Sequence, residues 1–71
     1  MVYPNPTRDL ITLKGLEYKN HHAEIYNLNG QLVGTVKLNE QGMATVDLSA
    51  FNSGILFIKV GDKVEKVVLM R

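Results

Sequence analysis

The chain contains no cysteine and no long hydrophobic run. The absence of cysteine excludes disulfide bonds, thiolate metal sites and thiol nucleophiles, although it does not indicate a cellular compartment. No apolar stretch approaches the roughly 20 residues that a membrane-spanning helix needs, so we expect no membrane insertion. The N-terminal residues also lack the basic start and apolar core of a signal peptide.

Charge of one sign is also scarce. Eight Lys and Arg residues stand against seven Asp and Glu residues, which gives a formal net charge of +1, and the two signs are interspersed along the chain. A nucleic-acid-binding domain of this size usually carries a basic stripe. We therefore expect no nucleic-acid partner. The length of 71 residues fits one domain, and the 45% apolar content is that of a globular protein.

Apolar residues recur with a period of two, which is typical of β-strands. In residues 44–48, for example, Ala44, Val46 and Leu48 share one face. Ile55 to Val60 is apolar on both sides, as expected of a central strand. The predicted strands lie at residues 9–13, 23–27, 31–38, 44–48, 55–60 and 63–69.

Turn signals separate these segments. Asn29-Gly30 predicts a β-hairpin with a type I′ turn, which needs a positive φ at both central residues. Gly61-Asp62 is expected to join the last two strands in the same way, and residues 40–42 to form a third hairpin. Gly34 indicates a thin or bulged point in its strand. The one helix candidate, residues 48–52, is a single turn at most.

Strands at intervals of 8–12 residues are typical of a sandwich or a small barrel. The predicted fold class is therefore all-β, an antiparallel β-sandwich of about six or seven short strands. Two facing sheets would bury one apolar set between them. That predicted core is Ile11, Leu13, Ile25, Val33, Val36, Val46, Leu48, Phe51, Ile55, Phe57, Val64 and Val67.

Several short motifs then match a known family in order and spacing. They are Tyr3-Pro4-Asn5-Pro6, Asp9 with Ile11-Thr12-Leu13, residues 25–33 (IYNLNGQLV), Val46-Asp47-Leu48-Ser49, residues 54–60 (GILFIKV) and the tail Lys66-Val67-Val68-Leu69-Met70-Arg71. This pattern resembles the type IX secretion C-terminal sorting domain (type A) of Bacteroidetes bacteria, over essentially the whole chain. Asn27 stands where the family often has Asp, and Leu56 where it often has Tyr.

The resemblance implies an Ig-like sandwich that forms a single domain, residues 1–71, at the C-terminus of an exported protein. Such a domain directs its cargo through the periplasm and the outer-membrane type IX translocon or its shuttle, and a sortase-like cysteine protease then commonly removes it. The cargo is linked to an anionic lipopolysaccharide at the cell surface or released. The domain is an address, so we expect no enzyme activity and no cofactor.

Partner recognition is expected at both ends of the chain and at Gly54. The candidate residues are Pro4, Asn5, Pro6, Gly54, Lys66, Val67, Val68, Leu69, Met70 and Arg71. The prolines could instead provide only a rigid segment that prevents edge pairing. The tail could serve only as the closing strand, or it could add to a partner's sheet by backbone hydrogen bonds. An exposed closing strand could also exchange between copies and form a homodimer.

Other candidate sites are weaker. His21 and His22 are adjacent, so in an extended chain they point to opposite faces and do not converge on one metal ion. Neither Ser49 nor Ser53 lies in a nucleophile-elbow motif. Tyr3, Tyr18 and Tyr26 would form a sugar-stacking platform only if they shared a face. The main alternative function is an Ig-like adhesion or carbohydrate-binding module of an extracellular enzyme, and a plain structural spacer is a third.

Overall fold

The computed structural model describes residues 2–4 and 6–70, which form two antiparallel sheets and almost no helix. One sheet has three strands in the order β1-β2-β5, and the other has four in the order β4-β3-β6-β7. The bounds are β1 Val2–Tyr3, β2 Leu10–Lys14, β3 His22–Tyr26, β4 Leu32–Lys37, β5 Met43–Asp47, β6 Gly54–Val60 and β7 Lys63–Leu69. The predicted all-β sandwich is confirmed.

The strand order is that of an immunoglobulin-like sandwich. The edge strand β4 pairs with β3 and so belongs to the sheet that also contains β6 and β7. The chain crosses between the sheets three times, after β2, β4 and β5. The β4–β5 crossing corrects the sequence reading, which placed a hairpin at residues 40–42. The two strands belong to different sheets, and the turn residues form a corner instead.

Two five-residue loops, residues 27–31 and 39–43, share one design. The side-chain oxygen of Asn27 accepts the backbone N–H groups of Asn29 and Gln31, each at 3.0 Å. The side-chain oxygen of Asn39 likewise accepts the N–H groups two and four residues ahead, at 2.9 and 3.0 Å. In both loops the fourth residue is a glycine with positive φ. An asparagine side chain that bonds the backbone ahead of it is a strong turn former.

The predicted type I′ turn at Asn29-Gly30 is wrong, although the hairpin itself is confirmed. Gly30 has a φ of 82°, but Asn29 is not among the residues with positive φ. The loop is longer than two residues because the Asn27 side chain holds its backbone in place. The Gly61-Asp62 loop does join paired residues Val60 and Lys63, again with positive φ at the glycine alone.

The core lies between the sheets and draws on every strand except β1 and β4 for its fully buried side chains. The buried apolar residues are Ile11, Leu13, Ala23, Ile25, Leu38, Val46, Leu48, Leu56, Ile58, Val67 and Leu69. Six of the predicted core residues are among them, and Val33, Val36 and Phe51 pack against the cluster partly buried. As predicted, β4 is irregular near Gly34: Val33 is an extra residue between the pairs Ile25–Gly34 and Tyr26–Leu32.

The prediction that Ile55, Phe57 and Val64 belong to the core is wrong. Leu56 and Ile58 point inward, so Ile55 and Phe57 lie half-buried on the outer side of β6. Val64 is 57% exposed. β6 carries apolar residues on both of its faces, so its sequence does not indicate which face is turned toward the core.

The helical content also differs from expectation in its position. Residues 48–52 contain a turn, with the Phe51 N–H bonded to the Leu48 carbonyl oxygen at 3.0 Å. A 3₁₀ turn occurs instead at Leu16–Tyr18, in the crossing from β2 to β3. This turn places the Tyr18 ring against the β6–β7 loop.

Candidate functional site

The N-terminal segment and the C-terminal strand meet at one end of the sandwich. Thr7 forms a parallel bridge with Leu69, in which the Thr7 N–H donates to the Val68 carbonyl oxygen at 2.9 Å and the Met70 N–H donates to the Thr7 carbonyl oxygen at 2.7 Å. Leu69 is paired on its other side with Gly54 at the start of β6. The structure thus brings together three predicted recognition segments that are distant in sequence. We call this region the terminal junction: Pro6, Thr7, Gly54, Leu69 and Met70.

Thr7 anchors the terminal junction, and the sequence analysis missed it. Among the described residues it is the buried polar side chain, only 5% exposed. Its hydroxyl donates a hydrogen bond to the Leu10 carbonyl oxygen at 2.7 Å, so burial leaves the group satisfied. Thr7 lies between the prolines and β2, where no alternation is visible. A β-branched residue before a strand was the one available signal.

The tail alternates between buried and accessible side chains. Val67 and Leu69 are 0% and 1% exposed and belong to the core. Lys66 is exposed, Val68 is half-buried, and Met70 is 57% exposed. A partner that reads the folded domain can therefore contact the side chains of Lys66, Val68 and Met70, whereas Val67 and Leu69 become accessible only if the sandwich opens.

Pro6 and Gly54 belong to the terminal junction, and Pro4 lies two residues before Pro6. Pro4 and Pro6 are exposed, and the Tyr3–Pro4 peptide bond is cis. Gly54 is exposed, with a φ of 144° that an L side chain rarely adopts, and an added Cβ there would meet no atom within 4 Å. This glycine is therefore required by its backbone conformation and not by close packing. Asn5 and Arg71 lie outside the described residues.

The other candidate residues are scattered. His21 and His22 are exposed, and the His21 ring lies edge-on to Tyr18 with centroids 5.7 Å apart. In residues 2–4 and 6–70 no three His, Cys, Asp or Glu side chains are grouped as metal ligands would be. Ser49 and Ser53 are exposed in the β5–β6 connection, where the Ser49 N–H bonds the Asp47 carboxylate at 2.8 Å. Asp47 therefore acts as a turn carboxylate.

The three tyrosines do not share a face. Tyr3 is on the outer side of the three-stranded sheet, paired with Thr12. Tyr26 is on the outer side of the four-stranded sheet, and Tyr18 packs at the end of the sandwich beside the β6–β7 loop. No described helix has the length and apolar character needed to cross a membrane.

Comparison with known proteins identifies the family of this chain. Residues 1–70 match the family described as the secretion system C-terminal sorting domain. The ulvan lyase NLR42 of Nonlabens ulvanivorans is 36% identical over 66 residues, which cover 93% of this chain but only 12% of that protein. The similarity is thus to a small part of a larger enzyme. No solved structure matches the chain.

The family match covers both strands of the terminal junction and the whole sandwich between them. Members of this family are sorting signals and not catalysts, and they direct an attached protein to the cell surface or the extracellular space. The chain belongs to the type IX secretion C-terminal sorting domains.

Proposed function

We propose that the folded sandwich is read as a unit by the outer-membrane type IX translocon or its shuttle, and that the terminal junction is part of the surface that is read. The observation that carries this proposal is the Thr7–Leu69 bridge, which joins the proline segment to the tail. Neither end alone presents this arrangement, because the bridge needs both Thr7 and Leu69. A partner that binds there distinguishes a folded domain from an unfolded one.

The steps that we propose after export are those of the same family. A sortase-like cysteine protease at the outer membrane removes the domain, and the cargo is then linked to an anionic lipopolysaccharide or released. The chain spans 12% of the ulvan lyase that it resembles. A polysaccharide-degrading enzyme is accordingly one kind of cargo that we propose for this domain.

The test is a fusion of residues 1–71 to a fluorescent reporter in a bacterium that has the type IX machinery. The expected result is a reporter at the cell surface that stays inside a strain without the translocon. Deleting residues 66–71 is a poor variant, because Val67 and Leu69 are core residues and the sandwich would unfold. Met70→Ser is better, since its side chain is 57% exposed.

Leu10→Ser is the matched control, because Leu10 is 53% exposed on the outer side of the other sheet. Met70→Ser should lower export while Leu10→Ser leaves it unchanged, with equal melting temperatures. Equal export of both variants would contradict recognition at the terminal junction. Cleavage is tested separately by the mass of the surface reporter in strains with and without the sortase-like protease.

We also propose a strand-exchanged homodimer at high concentration. β7 is an edge strand, and two residues, Gly61 and Asp62, connect it to β6. Straightening that short loop would let β7 complete the sheet of a second copy. Gel filtration over a concentration series should show a slowly exchanging dimer, and a single monomer peak throughout would contradict it.

The alternative, a carbohydrate-binding module, has less support because Tyr3, Tyr18 and Tyr26 lie in three different places. It predicts affinity of the isolated domain for a glycan. Binding of several related glycans on an array would favour it over the sorting function.

A further inference from the structure

The outward side of the four-stranded sheet carries an apolar and aromatic surface. Tyr26 is paired with Phe57 on one side and Leu32 on the other, and Ile55 is paired with Val68 one row away. Paired residues in antiparallel strands point to the same face, so these five side chains adjoin. We call them the outer face.

This surface is unexpected in a two-layer sandwich, because its strands have a core to cover on one side only. The outer side of the three-stranded sheet is mixed: Thr12 is paired with Tyr3 and Thr45, and Leu10 is paired with Asp47. By contrast, the outer face holds Phe57, one of two phenylalanines in the chain. A contiguous apolar patch on a soluble domain usually marks an interaction site.

The charges around the outer face are mostly positive. Lys37, Lys59 and Lys66 lie on the same side of the sheet, with Glu24 as the carboxylate opposite Lys59. Glu24 is already engaged, since its Oε1 accepts the Tyr26 hydroxyl at 2.9 Å. Three lysines and one glutamate on this side, in a chain with a net charge of +1, leave the rest of the molecule slightly negative.

We propose that the outer face docks onto an acidic protein surface of the export machinery. The inference rests on the proposed function and names the chemistry of the partner: carboxylates around an apolar or aromatic centre. Complementary charge of this kind speeds encounter and suppresses wrong partners. A central aromatic pair, Tyr26 and Phe57, fits the energetic centre of such an interface.

Two other occupants fit less well. A second copy meeting this face with its own outer face would bring like charges together. A lipid surface favours apolar side chains that protrude. Of the five side chains of the outer face, Leu32 is exposed and the other four, Tyr26, Ile55, Phe57 and Val68, are half-buried along the sheet. Side chains held in register on paired strands are suited to contact with a folded protein.

The test measures surface export of the reporter fusion with paired variants. Lys37→Glu/Lys59→Glu reverses two charges beside the outer face, and Lys19→Glu/Lys63→Glu makes the same change elsewhere. Phe57→Thr removes the central ring, and Leu10→Thr, on the other sheet, is its control. Thermal melting of each purified domain shows that it is folded.

We expect Lys37→Glu/Lys59→Glu and Phe57→Thr to reduce export about tenfold, the effect of losing one strong contact. Lys37→Arg/Lys59→Arg, Lys19→Glu/Lys63→Glu and Leu10→Thr should export normally. Unchanged export of the outer-face variants, or an equal loss in the controls, would overturn the proposal. If the wild-type fusion itself is not exported, the sorting function fails and not only its docking surface.

Two binding measurements separate the other occupants. Purified domain is sedimented with vesicles of zwitterionic and anionic phospholipid, and its mass in solution is measured by analytical ultracentrifugation. Vesicle binding that Lys37→Glu/Lys59→Glu abolishes would overturn the proposal in favour of lipid. Self-association that Phe57→Thr abolishes would overturn it in favour of a second copy, and the absence of both supports it.

Discussion

The Tyr18 hydroxyl donates a hydrogen bond to the Asp62 carboxylate at 3.1 Å, although the two residues are 44 positions apart. The Tyr18 ring also fills the space beside Gly61, where an added Cβ would lie 2.8 Å from the ring atom Cε1. The contact ties the 3₁₀ turn that follows β2 to the β6–β7 loop. One side chain thereby links the two sheets at the end opposite Gly54.

The environment of Tyr18 and Tyr26 predicts a loss of stability at alkaline pH. Burial, the hydrogen bond to Asp62, and the charges of Asp62 and Glu17 raise the pKa of Tyr18. The hydrogen bond to Glu24, followed by burial, raises the pKa of Tyr26. The folded state therefore holds these protons more tightly than the unfolded chain, whose tyrosine pKa is about 10.

That stabilisation is complete below about pH 10 and is lost as the pH rises through the raised folded values. The melting temperature of Tyr18→Phe/Tyr26→Phe should therefore fall less than that of the wild type over this alkaline range. Tyr3→Phe is the control, because it removes a phenol without breaking either hydrogen bond. An identical alkaline decline in the double variant and the wild type would contradict the prediction.

Gly42 and Gly30 have similar backbone conformations but very different surroundings. Their φ values are 71° and 82°. A Cβ on Gly42 would overlap the Gly15 carbonyl oxygen and lie 2.7 Å from the Leu16 Cα, whereas one on Gly30 would meet no atom within 4 Å. Gly30→Ala should cost about 1–2 kcal/mol from backbone conformation alone.

Gly42→Ala should cost clearly more, because two backbone segments must also move apart. Urea unfolding of both variants gives the difference directly. Equal destabilisation of the two variants would mean that the backbone after β2 moves aside at little energetic cost. The close approach of Gly15 to Gly42 would then contribute little to the effect of the substitution.

The two five-residue loops depend on Asn27 and Asn39 and not on Asn29. Asn27→Ala and Asn39→Ala each remove the acceptor of two backbone N–H groups. Each should lower the free energy of unfolding by about 1 kcal/mol. Asn27→Asp keeps the acceptor and should therefore be about as stable as the wild type. Asn29→Ala in the same loop should be nearly neutral. A larger effect at Asn29 than at Asn27 would contradict the loop geometry.

Local sequence patterns predicted the strands well because strand formation depends on alternation and on nearby turn residues. The β3–β4 and β6–β7 hairpins and the irregular point near Gly34 were predicted on those grounds. The turn type at Asn29-Gly30 was missed because Asn27 competes for the same backbone. A dipeptide preference omits a side chain that acts from two positions upstream.

The site could not be predicted to the same extent, because its contacts are non-local. Thr7 is important only through its bridge to Leu69, and nothing near Thr7 indicates a partner at the other end of the chain. For β6, the side that faces the core follows from pairing with β7, where Val67 and Leu69 are buried opposite Leu56 and Gly54. The resemblance of the motifs identified the family from the sequence alone. The outer face could be defined only once the pairing register of the strands was known.

The terminal junction predicts that export of a core variant depends on temperature. Leu69→Ala removes a side chain that is 1% exposed, which should cost about 2–5 kcal/mol. For a 71-residue domain, whose total stability is about 4–10 kcal/mol, this is a large fraction. Met70→Ala, one residue further on, truncates an exposed side chain and should leave the fold intact.

The reporter fused to the Leu69→Ala domain should therefore be exported at low temperature and lose export as the domain melts, a transition followed by circular dichroism. The Met70→Ala fusion should show the same low export at every temperature, because it alters the recognition surface and not the folding equilibrium. Normal export of Leu69→Ala above its melting temperature would show that the machinery reads the unfolded tail. The bridge between Thr7 and Leu69 would then have a role in stability alone.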